Sequence, residues 1–290
     1  MKTMSGKVCM ITGATSGIGE VTAREIARLG ATVVVVGRNP EKCQSTVSRI
    51  QQETGNPAVN YLVADLSAMA QIRSLVQQFK ERYNRLDVLV NNAGGFFMTR
   101  QTSPDGYEMT FALNHLNYFL LTNLLLDILK SSAPARIVNV ASESHRHQRI
   151  NIDDLQFKRF YNPVQAYGRS KLANVLFTYE LARRLQDCTG GITPPVLANA
   201  VDPGTVATNI WNNPIPWLKF LIDPVMRRVA ISPEEGAQTS IYLATSPEVE
   251  GVTGEYFVRS NPRRSDPASY DEAIAKRLWD VSLEMVKSAL

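Results

Sequence analysis

Short runs of apolar and β-branched residues alternate along the chain with longer segments in which apolar residues recur at helical spacing. This alternation is typical of repeated strand–helix–strand units, which build a parallel sheet with helices packed on it. The first five runs are nearly all apolar, as expected for strands that helices cover on both faces. About seven strands are predicted, at residues 7–12, 32–36, 59–64, 86–90, 136–141, 196–201 and 255–258.

Segments of helical period fill the gaps between these runs. Helices are predicted at residues 18–29, 40–54, 68–83, 106–130 and 165–186. No Gly/Ser-rich or Pro-rich linker divides the chain, and it has no internal repeat beyond the alternation itself. We therefore predict a single domain over residues 1–290, an α/β fold with a doubly wound parallel sheet.

The stretch at residues 205–231 breaks this alternation. Pro214, Pro216 and Pro224 stand there among many apolar residues, so the pattern predicts short broken helices instead of another strand–helix unit. Long irregular insertions of this kind often cover substrates, and we interpret this one as a substrate loop. The alternative is that its apolar side chains complete the core or a contact between subunits.

Composition narrows the classes of function. With 31 Lys plus Arg against 27 Asp plus Glu, the net charge is +4, and no polybasic arm points to a nucleic-acid partner. The 3 cysteines lie far apart without C-x-x-C spacing, which supports neither a disulfide framework nor a metal site. No signal-peptide core and no apolar stretch of about 18 residues is present, so we expect a cytoplasmic protein without a transmembrane segment.

The first predicted strand runs into a glycine-rich turn that opens a helix. Glycine there permits positive φ and lets the backbone approach a pyrophosphate, while the helix N-terminus offers free N–H groups and a partial positive charge. A P-loop is excluded because Glu20 and Val21 follow the last glycine, where Lys and Ser or Thr are needed. The context favours a dinucleotide-binding turn, with contacts assigned to Gly13, Thr15, Ser16, Gly17, Ile18 and Gly19.

The end of the second strand indicates which dinucleotide binds. NAD-binding units place an acid there for the ribose 2′-hydroxyl, but this chain has Arg38, whose guanidinium can pair with a 2′-phosphate. We therefore predict that NADP(H) is preferred over NAD(H). The alternative is an arginine that only faces solvent.

Two more strand ends supply loops at the carboxyl edge of the sheet, where ligands of such sheets bind. Asp65 and Leu66 follow the third strand, and Asn92, Ala93 and Gly94 follow the fourth. Asp65 either accepts a hydrogen bond from adenine or caps the following helix.

Tyr167 and Lys171 stand four residues apart on a predicted helix, so their side chains share a face. A phenol with a pKa of about 10 is a poor acid–base group at neutral pH unless a nearby positive charge stabilises the phenolate. Lys171 is placed to supply that charge. Ser142 follows the fifth strand and can hold a substrate oxygen, and Asn114 lies in the helix after the fourth.

In this order and spacing the motifs resemble those of the short-chain dehydrogenases/reductases. The matching elements span most of the chain: Thr12-Gly13-x-x-x-Gly17-x-Gly19, Asn91-Asn92-Ala93-Gly94, Asn114, Ser142, Tyr167-x-x-x-Lys171 and Pro203-Gly204. Residues 114–122 and 170–178 further resemble the retinol dehydrogenase and WW-domain oxidoreductase branch, whose members mostly prefer NADP and apolar carbonyls.

The resemblance implies a Rossmann fold and a role for each residue. Tyr167 is implied to be the general acid/base, Lys171 to lower its pKa and hold the nicotinamide ribose, Ser142 to orient the carbonyl or alcohol, and Asn114 to support a proton-relay water. The residues implied to border the nicotinamide are Pro203, Gly204 and Thr205. The implied reaction is hydride transfer between NADP(H) and an apolar aldehyde or ketone, or the corresponding alcohol, in a homodimer or homotetramer.

Two other functions stay open. One is a catalytically silent NADP(H)-binding sensor or interaction protein, although nucleotide binding alone does not need Asn114, Ser142, Tyr167 and Lys171 together. The other is a sugar-nucleotide epimerase, which uses a similar tyrosine and lysine and retains NAD.

The three histidines are not assigned to catalysis. His145 and His147 lack a third metal ligand nearby, and we expect both to be solvated loop residues. His115 is expected to be a packing residue in its helix. No Gly-x-Ser-x-Gly motif marks a serine nucleophile.

Overall fold

The computed structural model describes residues 3–187, 196–204 and 231–290. These residues form an eight-stranded sheet in the order β3-β2-β1-β4-β5-β6-β7-β8. Its strands are β1 (Val8–Thr12), β2 (Thr32–Gly37), β3 (Val59–Val63), β4 (Val88–Asn91), β5 (Ala135–Val140), β6 (Val196–Asp202), β7 (Tyr256–Val258) and β8 (Asn261–Pro262). All pairs are parallel except β7 with β8. The predicted α/β sheet is confirmed, and β8 adds a two-residue return strand to the predicted ones.

Helices cover both faces of this sheet. The described helices are α1 (Gly17–Arg28), α2 (Pro40–Thr54), α3 (Met69–Arg82), α4 (Met109–Phe111), α5 (Asn117–Ser131), α6 (Pro163–Asp187), α7 (Pro233–Thr245) and α8 (Glu272–Val286). Helices α1, α2 and α7 pack on one face, and α3, α5 and α6 pack on the other, with α8 lying against α6. None of the helices in this part of the chain combines the length and apolarity needed to span a bilayer.

The two helical layers explain why the strands are nearly all apolar. In β1, Cys9 and Ile11 belong to the core under α1, whereas Met10 belongs to the core under α5 and α6. All three side chains are fully buried, because successive residues of a strand point to opposite faces and both faces are covered. Full burial of one such side chain contributes about 1.5–3 kcal/mol.

Local sequence signals set the starts of α2 and of α7, a helix that the sequence pattern did not predict. The Asn39 side chain accepts a hydrogen bond from the Lys42 N–H at 2.7 Å, which caps α2. Helix α7 begins with a reciprocal capping box between Ser232 and Glu235. A Ser followed three residues later by Glu is a sequence signal for such a start.

The predicted helix at residues 106–130 consists of three pieces. A single turn, α4, is followed by a π-helical turn at Ala112–Leu116 and then by α5. Such π-helical turns are rare and often occur at functional sites.

The predicted substrate loop at residues 205–231 lies outside the described residues, apart from Ile231. Thr205 and Cys188 also lie outside them. The single-domain extent over residues 1–290 stays a prediction.

Candidate active site

The order of the strands reverses between β1 and β4, and ligands of doubly wound sheets bind at such a point. The sheet continues from β1 to β2 in one direction and from β4 to β5 in the other, so the loops after β1 and β4 flank the reversal point. Hydrogen bonds join these two loops. The Asn92 side chain donates to the Thr12 carbonyl at 2.8 Å, and the Thr12 hydroxyl accepts from the N–H groups of Asn92 and Ala93 at 2.9 and 3.0 Å.

Two glycines of the glycine-rich turn are packed too closely to carry side chains. A Cβ at Gly13, where φ is +64°, would lie 2.8 Å from the Cα of Ala93. A Cβ at Gly19 would lie 2.5 Å from both the Asn92 Nδ2 and the Gly13 carbonyl. The close packing of these two glycines explains why the strand-to-helix turn requires them.

Helix α1 begins in this turn with its first N–H groups uncapped by a side chain. Ser16 is the N-cap residue and makes no side-chain capping hydrogen bond, and Gly17 follows it with a φ of +58°. Free N–H groups and the helix dipole attract a phosphate. Thr15 and Ile18 lie in the same turn, and Thr15 packs beside Gly37 at the end of β2. The residues present therefore fit a dinucleotide, with its pyrophosphate at the start of α1.

Arg38 is exposed directly after β2. Its side chain makes no hydrogen bond or ion pair with another residue of the described ranges. The guanidinium is thus available to a ligand at the carboxyl edge of the sheet, and its contact with a 2′-phosphate stays a prediction.

Asp65 and Leu66 lie after β3 at the same edge. One Asp65 carboxylate oxygen accepts hydrogen bonds from the N–H and the hydroxyl of Ser67, at 2.9 and 2.7 Å. This contact shapes the turn before α3, which agrees with a structural role for Asp65. Leu66 is buried, and the contact of Asp65 with adenine stays a prediction.

Tyr167 lies near the start of α6, with its phenol close enough to the Ser142 hydroxyl for that hydroxyl to lower the pKa of the phenol. A glycine makes this approach of α6 to the loop after β5 feasible. A Cβ at Gly168 would lie 2.6 Å from the Ser144 carbonyl, so the helix would have to move away from the turn that carries Ser142. Sequence reasoning missed Gly168, because a lone helical glycine carries no sign of what packs against it.

Lys171 lies one turn along α6 and is 2% exposed. Its Nζ is 5.6 Å from the centre of the Tyr167 ring and donates a hydrogen bond to the Val140 carbonyl at 3.0 Å. A Cβ at Gly94 would lie 3.6 Å from the same Nζ. Lys171 therefore lies between the phenol ring and the loop at residues 92–94.

Asn114 occupies the π-helical turn, and its amide is held from both sides. Its Oδ1 accepts from the Gly95 N–H at 2.7 Å, and its Nδ2 donates to the Gly95 carbonyl at 3.0 Å and to the Ser170 hydroxyl at 2.9 Å. The Ser170 hydroxyl in turn donates to the Tyr167 carbonyl at 2.7 Å. Ser170, which sequence reasoning missed, thus connects Asn114 with the helix turn that carries Tyr167.

Burial dominates the protonation of the tyrosine and the lysine. It raises the pKa of Tyr167 to about 12, although the nearby Ser142 hydroxyl acts in the opposite direction. Burial also lowers the pKa of Lys171 to about 8, opposed by the negative charge of Asp202. At neutral pH the site therefore holds a protonated phenol and a largely protonated amine. The implied lowering of the Tyr167 pKa by Lys171 stays a prediction.

Pro203 and Gly204 form the turn at the end of β6, on the carboxyl edge. The Gly204 N–H donates to the Asp202 carboxylate at 2.9 Å, and Gly204 has a φ of +80°. Asp202 also accepts a hydrogen bond from the Tyr256 hydroxyl at 3.2 Å. The turn thus lies beyond the end of β6, and its contact with a nicotinamide stays a prediction.

The expectation that His145 is solvated is wrong, whereas His147 is exposed as expected. His145 is fully buried. Its ring tolerates burial because both ring nitrogens have hydrogen-bond partners, the Ser142 carbonyl at 2.7 Å and the Asp266 N–H at 3.0 Å. His115 is confirmed as a packing residue, with its ring against those of Phe111, Phe119 and Phe177. Within the described ranges, no three His, Cys, Asp or Glu side chains are grouped so as to hold a metal ion.

Comparison with known proteins agrees with this geometry. The family model described as short chain dehydrogenase matches residues 7–219. Human retinol dehydrogenase 14 is 44% identical over 300 residues, covering 98% of this chain and 87% of that protein. Human polyprenol dehydrogenase is 43% identical over 284 residues, covering 96% of this chain and 84% of that protein.

Solved structures show the same fold. The crystal structure of an uncharacterized protein from Mycobacterium paratuberculosis has a TM-score of 0.79 at 31% identity, covering 99% of this chain and 96% of that one. The active-site complex of Pseudomonas aeruginosa RhlG with NADP has a TM-score of 0.68 at 27% identity, covering 89% of this chain and 97% of that one.

Proposed function

The chain belongs to the short-chain dehydrogenase family of oxidoreductases. Within this family, we propose that the protein transfers hydride between NADP(H) and an apolar aldehyde or ketone, or the corresponding alcohol. In this proposal Tyr167 is the general acid/base. The observation that carries this proposal is that the Ser142 hydroxyl lies close enough to the Tyr167 phenol to lower its pKa, with Lys171 on the same helix as Tyr167. Two hydroxyl groups within hydrogen-bond reach of each other can hold one substrate oxygen between them.

Bound nicotinamide supplies or accepts the hydride. In the reducing direction, Ser142 holds the carbonyl oxygen, and Tyr167 gives that oxygen its proton, because the phenol is protonated at neutral pH. In the oxidising direction, the phenol must first lose its proton, and the Lys171 ammonium stabilises the resulting phenolate. The Asn114 amide holds the loop at Gly95 against the π-helical turn. In this proposal Asn114 supports the proton-relay water beside Lys171.

Arg38 and the glycine-rich turn support the choice of NADP(H). The turn fits a pyrophosphate, and the exposed Arg38 guanidinium at the end of β2 suits a 2′-phosphate, which only NADP(H) carries. The RhlG structure to which this chain is similar contains NADP.

Apolar side chains near Tyr167 support an apolar substrate. The Phe96 ring meets the Tyr167 ring edge-on, with 5.7 Å between centroids. Val164, three residues before Tyr167 on α6, is 63% exposed, and Phe160 just before that helix is 76% exposed. An apolar substrate gains free energy by covering such surfaces. The similar human proteins are named for retinol and polyprenol, both apolar alcohols.

The test is the consumption of NADPH, followed by its absorbance, with straight-chain aldehydes of increasing length and with polar sugar aldehydes. We expect kcat/KM to rise with chain length and the sugars to be poor substrates. Binding of NADPH without turnover of any carbonyl would instead favour the silent sensor. Purification of the protein with stoichiometric NAD would favour the epimerase.

We propose, from the family resemblance alone, that the protein assembles as a homodimer or homotetramer. The cytoplasmic location stays an expectation from the sequence. Cell fractionation and light scattering of the purified protein test these two statements.

A further inference from the structure

Two buried histidines each stand close in sequence to a residue of the proposed catalytic site. His115 directly follows Asn114, and His145 lies three residues after Ser142. Both side chains are fully buried, and each is hydrogen-bonded to the C-terminal part of the chain. Their partners there lie beyond the residues that match the family model.

The His115 ring links helix α8 to the backbone of Asn114. Its Nε2 lies 2.9 Å from the Ser282 hydroxyl, and its Nδ1 lies 3.4 Å from the Oδ1 of Asn174. The Asn174 amide nitrogen donates to the Asn114 carbonyl at 2.9 Å, so its oxygen faces the imidazole and must accept. Nδ1 therefore carries the hydrogen, and Nε2 accepts from the Ser282 hydroxyl.

The His145 ring makes a second link of the same kind. The Asp266 N–H donates to Nε2 at 3.0 Å, so Nδ1 carries the hydrogen and donates to the Ser142 carbonyl at 2.7 Å. The Asp266 carboxylate also accepts from the His147 N–H at 2.8 Å, which attaches the same turn a second time. Both histidines thus use one tautomer, with Nδ1 toward the catalytic site and Nε2 toward the C-terminal segment.

Burial keeps both rings in the neutral form that this tautomer requires. It lowers the pKa of His115 to about 4 and also lowers the pKa of His145. A neutral buried imidazole that loses one partner leaves a ring nitrogen or a carbonyl unpaired, which is costly away from water. The folded chain therefore retains the hydrogen bonds on both sides of each histidine ring.

We propose that the C-terminal segment at residues 264–286 positions the catalytic site, with His115 and His145 as the positioning residues that connect it to Asn114 and Ser142. This inference rests on the proposed function, because it concerns Asn114 and Ser142, two of the residues to which that function assigns a role. The physical reason is geometric: a small displacement of a group that holds substrate or relays a proton costs much of the rate. The hydrogen bonds from Ser282 and Asp266 restrain the backbone of Asn114 and Ser142.

The test compares two variants that each remove one hydrogen bond to α8. Ser282→Ala removes only the hydroxyl that donates to His115, and alanine keeps the helix because its helix propensity is the highest. Tyr107→Phe is the matched control. It removes the Tyr107 hydroxyl that donates to the Met285 carbonyl at 2.9 Å, a bond that leads to no catalytic residue.

With NADPH and decanal as probes, we expect Ser282→Ala to lower kcat by about three- to tenfold while the Kd for NADPH stays unchanged. We also expect a larger solvent deuterium isotope effect on kcat, because a displaced Asn114 slows proton transfer. Tyr107→Phe should leave kcat, Kd and the isotope effect at the wild-type values. Equal behaviour of the two variants would overturn the proposal.

The second link needs a pair of variants at one position. His145→Asn retains an amide N–H near Nδ1 and with it the bond to the Ser142 carbonyl, whereas His145→Gln retains an acceptor near Nε2 for the Asp266 N–H. Because the proposed role needs both bonds, both variants should lower kcat with the Kd for NADPH unchanged. Wild-type kcat in either variant would contradict the link.

Hydrogen exchange without any ligand separates this inference from the proposed function. Ser282→Ala should speed the exchange of backbone amides at residues 112–117, and Tyr107→Phe should not. Failure of the wild type to reduce any carbonyl would remove the proposed function, and the exchange rates would still decide the link. Unchanged exchange in Ser282→Ala would refute the inference even if the enzyme is active.

Discussion

The Nζ of Lys171 lies 5.6 Å from the centre of the Tyr167 ring, and it donates to the Val140 carbonyl, at the end of β5. The hydrogen bond holds the positive charge beside the phenol without a direct ion pair. Because burial raises the pKa of Tyr167 to about 12, the site at neutral pH has a proton to give. This arrangement suits carbonyl reduction, in which the phenol acts as the acid.

Replacing Tyr167 by Phe should lower kcat by at least about a hundredfold, because general acid–base catalysis contributes that much or more. The Kd for NADPH should stay close to that of the wild type, since the hydroxyl acts on the substrate oxygen. Steady-state rates with decanal and a fluorescence titration with NADPH measure the two quantities. Tyr242→Phe, which removes a hydroxyl on α7 that donates to the Glu248 carboxylate, is the control and should keep full activity.

Changing Arg38 to Asp should shift the preference toward NADH. A charge-assisted hydrogen bond contributes about 1.5–3 kcal/mol, so the ratio of kcat/KM for NADPH over NADH should fall by at least about tenfold. Arg82→Asp makes the same charge change at an exposed position on α3 and should leave the ratio unchanged. A wild-type protein with equal kcat/KM for NADH and NADPH would contradict the role given to Arg38.

Gly168→Ala should impair catalysis more than cofactor binding. The new methyl group would lie 2.6 Å from the Ser144 carbonyl, which forces α6 away from the turn that carries Ser142 and separates the hydroxyls of Ser142 and Tyr167. We expect a loss of about tenfold or more in kcat, measured together with thermal unfolding. Gly55→Ala is a control for stability alone, because alanine is strained at the φ of +69° there while its Cβ would meet nothing within 4 Å. Equal kcat values for Gly168→Ala and the wild type would show that the close approach of α6 is not needed.

The stability of the protein should fall as the pH drops from about 6.5 toward 4. Burial lowers the pKa of His115 from the ordinary value of 6.5 to about 4, so the unfolded chain binds more protons between these values. The stabilising contribution is therefore fully present above pH 6.5 and is lost as the pH falls through the folded pKa. It amounts to about 3 kcal/mol, and His145 acts in the same direction.

Urea unfolding at a series of pH values measures this effect. His115→Asn should weaken the pH dependence of the free energy of unfolding over this range, because asparagine does not titrate. The same slope in the variant and the wild type would exclude His115 as its source.

Much of the fold and of the candidate site could be predicted from the sequence, because the signals are local. Apolar periodicity predicts strands and helices since the period follows from backbone geometry, and the four-residue spacing of Tyr167 and Lys171 places them on one helix face. The glycine-rich turn is equally local, because φ at Gly13 belongs to a single residue.

Only the tertiary structure decided which distant residues meet. The burial of His145 depends on the Asp266 N–H, which lies 121 positions away along the chain, and nothing in the residues around His145 indicates that partner. The need for glycine at position 168 likewise comes from the Ser144 carbonyl on another segment. A sequence determines the local conformations that its backbone and side chains favour, whereas contacts between distant segments arise only when the sheet and helices pack together.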